Sequence, residues 1–212
     1  MKNIISLLLL SVIFAFPSNC QNTDPFRGID DEQVLAMLKH LPYRHGGMNV
    51  TAVDGRVLYD IVKEHGYKRG LEIGTSNGYS ALWLGLAFKE TGGRLITIEI
   101  EPQRAREAQE NFKHAGLQDV IESRVNDALR EIPNLEGEFD FVFIDAWKPD
   151  YQKYLKLILP KMNPGGVITA HNVTSQGGSM RGFLEEIHNS PLLETTIDHS
   201  SRAGISISYI KK

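Results

Sequence analysis

From Asp30 onward the chain alternates short apolar runs with stretches of helical period, and that alternation leaves few folds open. The apolar runs are "RGLEIG", "RLITIEI", "VIESRV", "FDFVFID", "GGVITAH", "LETTID" and "GISISYI". Helical stretches separate most of them: "GYSALWLGLAFKE", "EPQRAREAQENFKHAG", "DYQKYLKLILPKM" and "SMRGFLEEIHN". Two more come first. "DDEQVLAMLKHL" carries Val34, Leu35, Leu38 and Leu41 at helical spacing and stops before Pro42, while "VTAVDGRVLYDIVKEHG" is closed by Gly66. The pattern predicts an α/β sandwich around a mostly parallel sheet. "FDFVFID" reads as a strand buried on both faces, as parallel strands are. The last two runs are joined only by "HSSRA", too short for a parallel crossover, so that pair is expected to be antiparallel.

A chain of 212 residues without a composition shift makes one large domain, expected over 30–212. The formal net charge of -3 gives no electrostatic footprint for nucleic acid. The first twenty residues stand apart. A Lys at position 2 precedes an apolar stretch over 4–16, shorter than the ~20 residues that span a bilayer. Residues 1–20 therefore read as a secretory or lipoprotein signal, which implies export to the periplasm, the envelope or the exterior. An uncleaved anchor remains open, as does a cytoplasmic chain if the segment is no signal. Cys20 is the chain's single cysteine, so without it disulfides, thiolate metal sites and cysteine nucleophiles are excluded. Membrane attachment through the N-terminus and assembly as a homodimer are left open.

In a sheet of this kind ligands bind beyond the carboxyl ends of the strands, where strand order reverses. That rim collects Glu72, Glu99, Asp145, His171 and Asn172. The loop "LEIGTSNGYS" has Gly74 and Gly78, but a dinucleotide fingerprint would need glycines where Ser76 and Tyr79 stand. A phosphate cradle is poorly supported, although the glycines let backbone approach a ligand; the alternative is a plain strand-to-helix turn. Glu99 ends the next strand, 25 residues after Gly74, where an acidic residue suits ribose hydroxyls, or else caps a helix beside Pro102. Asp127 offers an acceptor for an exocyclic amine. A nucleoside without phosphates meets all three features, and S-adenosylmethionine is the common cofactor of that description.

At this point the chain resembles the class I S-adenosylmethionine-dependent O-methyltransferases, and most closely the catechol and caffeoyl-CoA O-methyltransferase family. The motifs that carry the resemblance are "GGMNVTAVDGRVLYDIV", "LEIGTSNGYSALWL", "ITIEIEP", "FVFIDAWKPDY" and "GGVITAHNV", and the resemblance runs over about 180 residues, from about Asp30 to the end. The resemblance implies a Rossmann-like seven-stranded sheet of order 3-2-1-4-5-7-6 with the last strand antiparallel. It implies that Asn49 and Val50 meet the methionine end of the cofactor. Glu72, Gly74, Thr75, Gly78 and Ser80 would line it, Tyr79 would open the helix beneath it, Glu99 would hold the ribose, and Asp127 with Ala128 would border the adenine. Asp145 would touch both cofactor and metal, and Lys148 would take the proton from an acceptor hydroxyl.

The chemistry agrees with that assignment. A neutral phenol, with a pKa near 10, is a poor nucleophile, and a divalent cation on its oxygen stabilises the anion. The family's metal-binding Asp-Asn pair is His171-Asn172 here, so the metal set becomes Asp145, His171 and Asn172. A neutral imidazole favours Zn²⁺, Mn²⁺ or Fe²⁺ over Mg²⁺; alternatively His171 only packs or hydrogen-bonds. No acidic residue in "TTIDHSSRAG" matches the one that meets a second catechol hydroxyl, so a small-molecule hydroxyl acceptor is implied without a catechol being required. Two other classes remain on the residues alone. One is a binding protein of the same fold without catalysis. The other is a nucleotide-dependent oxidoreductase, against which the glycine spacing argues.

Overall fold

The computed structural model describes residues 24–44 and 49–211. The signal reading of residues 1–20, with Cys20, lies outside the described residues. Seven strands form one sheet of order β3-β2-β1-β4-β5-β7-β6. They are β1 (Arg69–Ile73), β2 (Arg94–Glu99), β3 (Ile121–Val125), β4 (Phe139–Ile144), β5 (Met162–His171), β6 (Leu193–Asp198) and β7 (Ile205–Ile210). All pairs are parallel except β5–β7 and β6–β7, which are antiparallel as the short link demands.

Both faces of the sheet are covered, which explains the continuous apolar runs. In β4, Phe141 and Phe143 belong to one core, while Val142 and Ile144 belong to the other. The first core is closed by α1 (Glu32–His40), α2 (Ala52–His65), α3 (Tyr79–Thr91) and α4 (Pro102–His114). The second is closed by α5 (Ala128–Glu131), α6 (Tyr151–Ile158) and α7 (Arg181–Asn189). Ten successive residues of α3, Tyr79–Phe88, are buried, so it is an internal helix rather than an amphipathic surface one. Asp140 sets the depth of β4 against β1. Its Oδ2 accepts the amides of Lys68 and Arg69 at 2.8 and 3.0 Å, and Oδ1 accepts Asn163 Nδ2 at 2.8 Å.

Three local expectations shift. Pro42 does not end the first helical segment outright, because a 3-10 turn carries it on over Leu41–Arg44. The helix expected to reach Met162 ends at Ile158, and Pro160 sits in a 3-10 turn that feeds β5 three residues earlier than the glycine pair suggests. The short α5 after β3 lies in a stretch that the periodicity leaves unassigned; Asp127 caps it through the Leu129 amide at 2.9 Å.

Candidate active site

The carboxyl ends of β1, β2, β4 and β5 open onto one cavity of about 680 Å³. It lies between the two outward-running halves of the sheet, where order reverses at β1–β4. Its wall includes Asn49, Val50, Gly74, Thr75, Ser80, Glu99, Asp127, Ala128, Asp145, Lys148, His171 and Asn172. Twelve of the expected site residues thus face one space.

Three do not. Glu72 is fully buried beneath the floor, where the Thr97 hydroxyl donates to its Oε2. Burial pushes its carboxyl up to about 8, against the pull of Ser80 and Thr97. Gly78 and Tyr79 also stand behind the wall. Gly78, at φ 90°, leaves room for α4: a Cβ there would sit 2.6 Å from the Phe112 ring. Gly74 does line the cavity, yet its lack of a side chain serves the strands, since a Cβ would meet the Asp145 carbonyl oxygen at 2.2 Å. Gly78 thus makes room for a ring, and Gly74 makes room for the Asp145 backbone while lining the cavity.

On the β1–β3 side, Glu99 is buried rather than a solvated cap; Glu101 caps α4 instead. Glu99 Oε2 accepts the Ser76 amide at 2.7 Å and Oε1 accepts the Glu101 amide at 3.0 Å. These bonds aim the carboxylate and leave each oxygen a further lone pair for hydroxyls. Among the described residues Asn49 Nδ2 is buried without a hydrogen-bond partner, and Asn49 lines the cavity. Ile100 and Trp147, 67% and 69% exposed, bring apolar surface to the same cavity. The motif reading assigns a role to neither, although large apolar residues within three positions of a strand end are a visible signal.

On the β4–β5 side the charges interlock. Lys148 Nζ lies 2.7 Å from Asp145 Oδ1 and 5.2 Å from the centre of the Tyr151 ring. His171 Nδ1 lies 3.2 Å from Asp145 Oδ2. The other ring nitrogen, Nε2, lies 3.3 Å from Oδ2 of Asp54, a fully buried residue of α2 that the motif reading does not single out. Burial opposes the charge on His171, but the carboxylates of Asp145 and Asp54 outweigh it and push its pKa up to about 9. Burial likewise opposes ionisation of Asp145, and the cations His171 and Lys148 reverse that, leaving its carboxyl below the usual range. Asp54 is lowered too: His171, Ser201 and Thr51 overcome its desolvation.

Among the described residues no group of three or more His, Cys, Asp or Glu is arranged to hold a metal ion. The candidate set is mixed: one carboxylate, one imidazole and one carboxamide. Two observations fit it to a divalent cation. His171 Nδ1 is buried and makes no aligned hydrogen bond, although Asp145 Oδ2 is 3.2 Å away. Asn172 bonds Ser175 through Nδ2 at 3.3 Å, which leaves its carbonyl oxygen for a ligand. Asn172 holds a left-handed backbone, φ 63°, which Asn adopts more readily than other side-chain-bearing residues.

A sequence model described as O-methyltransferase matches residues 27–189. The chain is 36% identical over 157 residues to a catechol O-methyltransferase of Niastella koreensis, covering 71% of this chain and 70% of that protein. It is 37% identical over 130 residues to a catechol O-methyltransferase of Mycobacterium tuberculosis, covering 61% of this chain and 59% of that one. Among solved structures, the O-methyltransferase from Bacillus cereus in complex with SAH (S-adenosylhomocysteine) is 30% identical with a TM-score of 0.72, covering 85% of this chain and 90% of that chain.

Proposed function

This chain belongs to the O-methyltransferase family of class I S-adenosylmethionine-dependent enzymes, and from that premise we propose that it methylates a phenolic hydroxyl of a small molecule with the help of a divalent cation. The observation that carries the reading is the pairing of Asp145 and Lys148, 2.7 Å apart, across one cavity from Glu99. Glu99 is suited to grip the ribose, with Asn49 and Val50 near the methionine end and Asp127 with Ala128 near the adenine. The sulfonium then lies toward Asp145 and Lys148. Lys148, as the free amine, takes the acceptor's hydroxyl proton. The oxygen lone pair forms the new O–CH₃ bond while the C–S bond breaks toward sulfur, leaving S-adenosylhomocysteine. In-line transfer needs both reactants held and aligned, which a wall fixed by four strand ends provides.

Asp145, His171 and Asn172 are the residues that would hold the cation. When bound, it would supply charge that stabilises a substrate oxyanion. The test is methyl transfer to a panel of phenols in chelator, then with Mg²⁺, Mn²⁺ and Zn²⁺ restored. Activity that needs Mn²⁺ or Zn²⁺ supports the reading. Full activity in chelator removes the metal and assigns the positive charge to the His171 imidazolium between its two carboxylates.

Export is proposed on the N-terminal segment alone. Intact-mass measurement on protein from its native host should find residues 1–20 removed or Cys20 lipidated. A cytosolic product starting at Met1 would refute it.

A further inference from the structure

Helix α2 starts with a capping box. Thr51 Oγ1 accepts the Asp54 amide at 3.1 Å, and Asp54 Oδ2 accepts the Thr51 amide at 3.2 Å. A carboxylate in that role gains from facing water, yet Asp54 is 0% exposed. A buried carboxylate is costly unless it is paired, and capping alone gives no reason to bury it. The pairing comes from His171, 117 residues further on at the end of β5. Its Nε2–H donates to Asp54 Oδ2 at 3.3 Å. A ring held at Nε2 has its orientation set, and the remaining nitrogen is Nδ1. That atom is buried without an aligned partner, 3.2 Å from Asp145 Oδ2. Both Asp145 and His171 line the cavity, whereas Asp54 lies behind His171 and does not.

We propose that Asp54 is the positioning residue of the metal site: it holds His171 by Nε2–H so that Nδ1 and Asp145 share one divalent cation. This rests on the metal-assisted reading above. A carboxylate behind a ligating imidazole fixes the ring and makes it a better donor, and removal of such a partner weakens metal affinity by about 10–100-fold. The capping box and the metal ligand are thereby joined through one side chain. The start of α2 is held against the end of β5 by the same contact that aims the imidazole. The site also departs from an all-oxygen set: one of its two charged-ligand positions is an imidazole backed by a carboxylate, which suits Zn²⁺ or Mn²⁺ better than Mg²⁺.

The experiment is calorimetric titration of Zn²⁺ and Mn²⁺ into chelator-treated full-length protein saturated with S-adenosylhomocysteine. Wild type should show one site. Asp54→Asn should bind the metal about 10–100-fold more weakly, with unchanged affinity for S-adenosylhomocysteine. Thr51→Val removes the cap and the hydroxyl that donates to Asp54 Oδ2 at 2.8 Å but leaves the Asp54 carboxylate against His171, so it should lower the melting temperature and weaken metal binding far less than Asp54→Asn does. Ring ¹⁵N spectra of the Zn²⁺ form should show His171 protonated on Nε2 and metal-bound on Nδ1, a signature that a mere helix cap does not set. If Asp54→Asn fails to fold, Thr51→Val and the ring spectrum decide. Wild-type metal affinity in Asp54→Asn, lost metal affinity in Thr51→Val, or metal on Nε2 would each overturn the proposal. Absence of any metal binding by wild type would overturn the metal reading itself, visibly and before any variant is made.

Discussion

On the β1–β3 side of the crevice, carboxylates are held by backbone amides; on the β4–β5 side, carboxylates are held by side-chain cations. Glu99 is fixed by Ser76 and Glu101 amides, and Asp127 by the Leu129 amide. Each of these groups stands by itself, and removing one leaves the others as they were. Across the crevice, Asp54, Asp145, Lys148 and His171 meet within 3.3 Å contacts from α2, the β4 end and the β5 end. Two acids face two bases there. Removing one member leaves a buried charge without its partner, which costs more than the contact was worth. Substitutions on the first side should therefore act on one contact, and substitutions on the second should disturb the other charges of that cluster.

The largest break in that comparison is expected at the proposed base. Lys148→Ala should lower turnover by ~10²–10⁴, the usual range for a lost general base, with cofactor affinity unchanged. Steady-state kinetics on a phenol that wild type methylates and calorimetry with S-adenosylhomocysteine check the two halves of that statement. Unchanged turnover would remove Lys148 from the chemistry. A smaller effect is expected from His171→Asp, which adds a carboxylate oxygen and suits a hard cation. The ratio of Mg²⁺- to Mn²⁺-supported activity should rise by about tenfold, on the order of one favourable charged contact. The same variant takes away the donor to Asp54, so its metal-free form should melt at a lower temperature than wild type.

The smallest effect is on stability against pH in chelator. His171 holds its proton more tightly when folded, at about 9 against an ordinary 6.5. Its contribution is complete below pH 6.5 and is lost as pH rises through about 9. Asp54 and Asp145 are lowered from 3.8, so theirs is present above about pH 4 and is lost as pH falls further. Melting temperature followed over that span should decline between pH 6.5 and 9 in wild type, and the decline should flatten in His171→Asn. An equal decline in both would mean that the interlocked charges add nothing.

The same difference decides what could be read from sequence. The alternation of strands and helices, the antiparallel C-terminal pair and the placement of Glu99 at a strand end follow from local pattern, because period, turn length and strand ends are local properties; the strand order came only with the family resemblance. Gly74 and Gly78 were legible as glycines needed by the backbone, but not as to what they make room for. Asp145 and Phe112 come from other segments, and only packing brings them there. Glu72 shares a strand end with real cavity residues, yet its side chain turns under the floor, a choice of face made by Thr97 on the neighbouring strand. Asp54 was hidden most completely. In sequence it is the fourth residue of a Thr-x-x-Asp helix start, and nothing within reach along the chain marks it for His171.

The direct test of the two-sided crevice is a calorimetric titration of S-adenosylhomocysteine into metal-free wild type, Lys148→Ala and Glu99→Ala. Wild type and Lys148→Ala should bind with the same affinity at one site, while Glu99→Ala should bind roughly 10- to 150-fold more weakly, the loss of a hydrogen bond to a charged acceptor. Binding that falls with Lys148→Ala and survives Glu99→Ala, or heat with NAD and none with S-adenosylhomocysteine, would contradict the account.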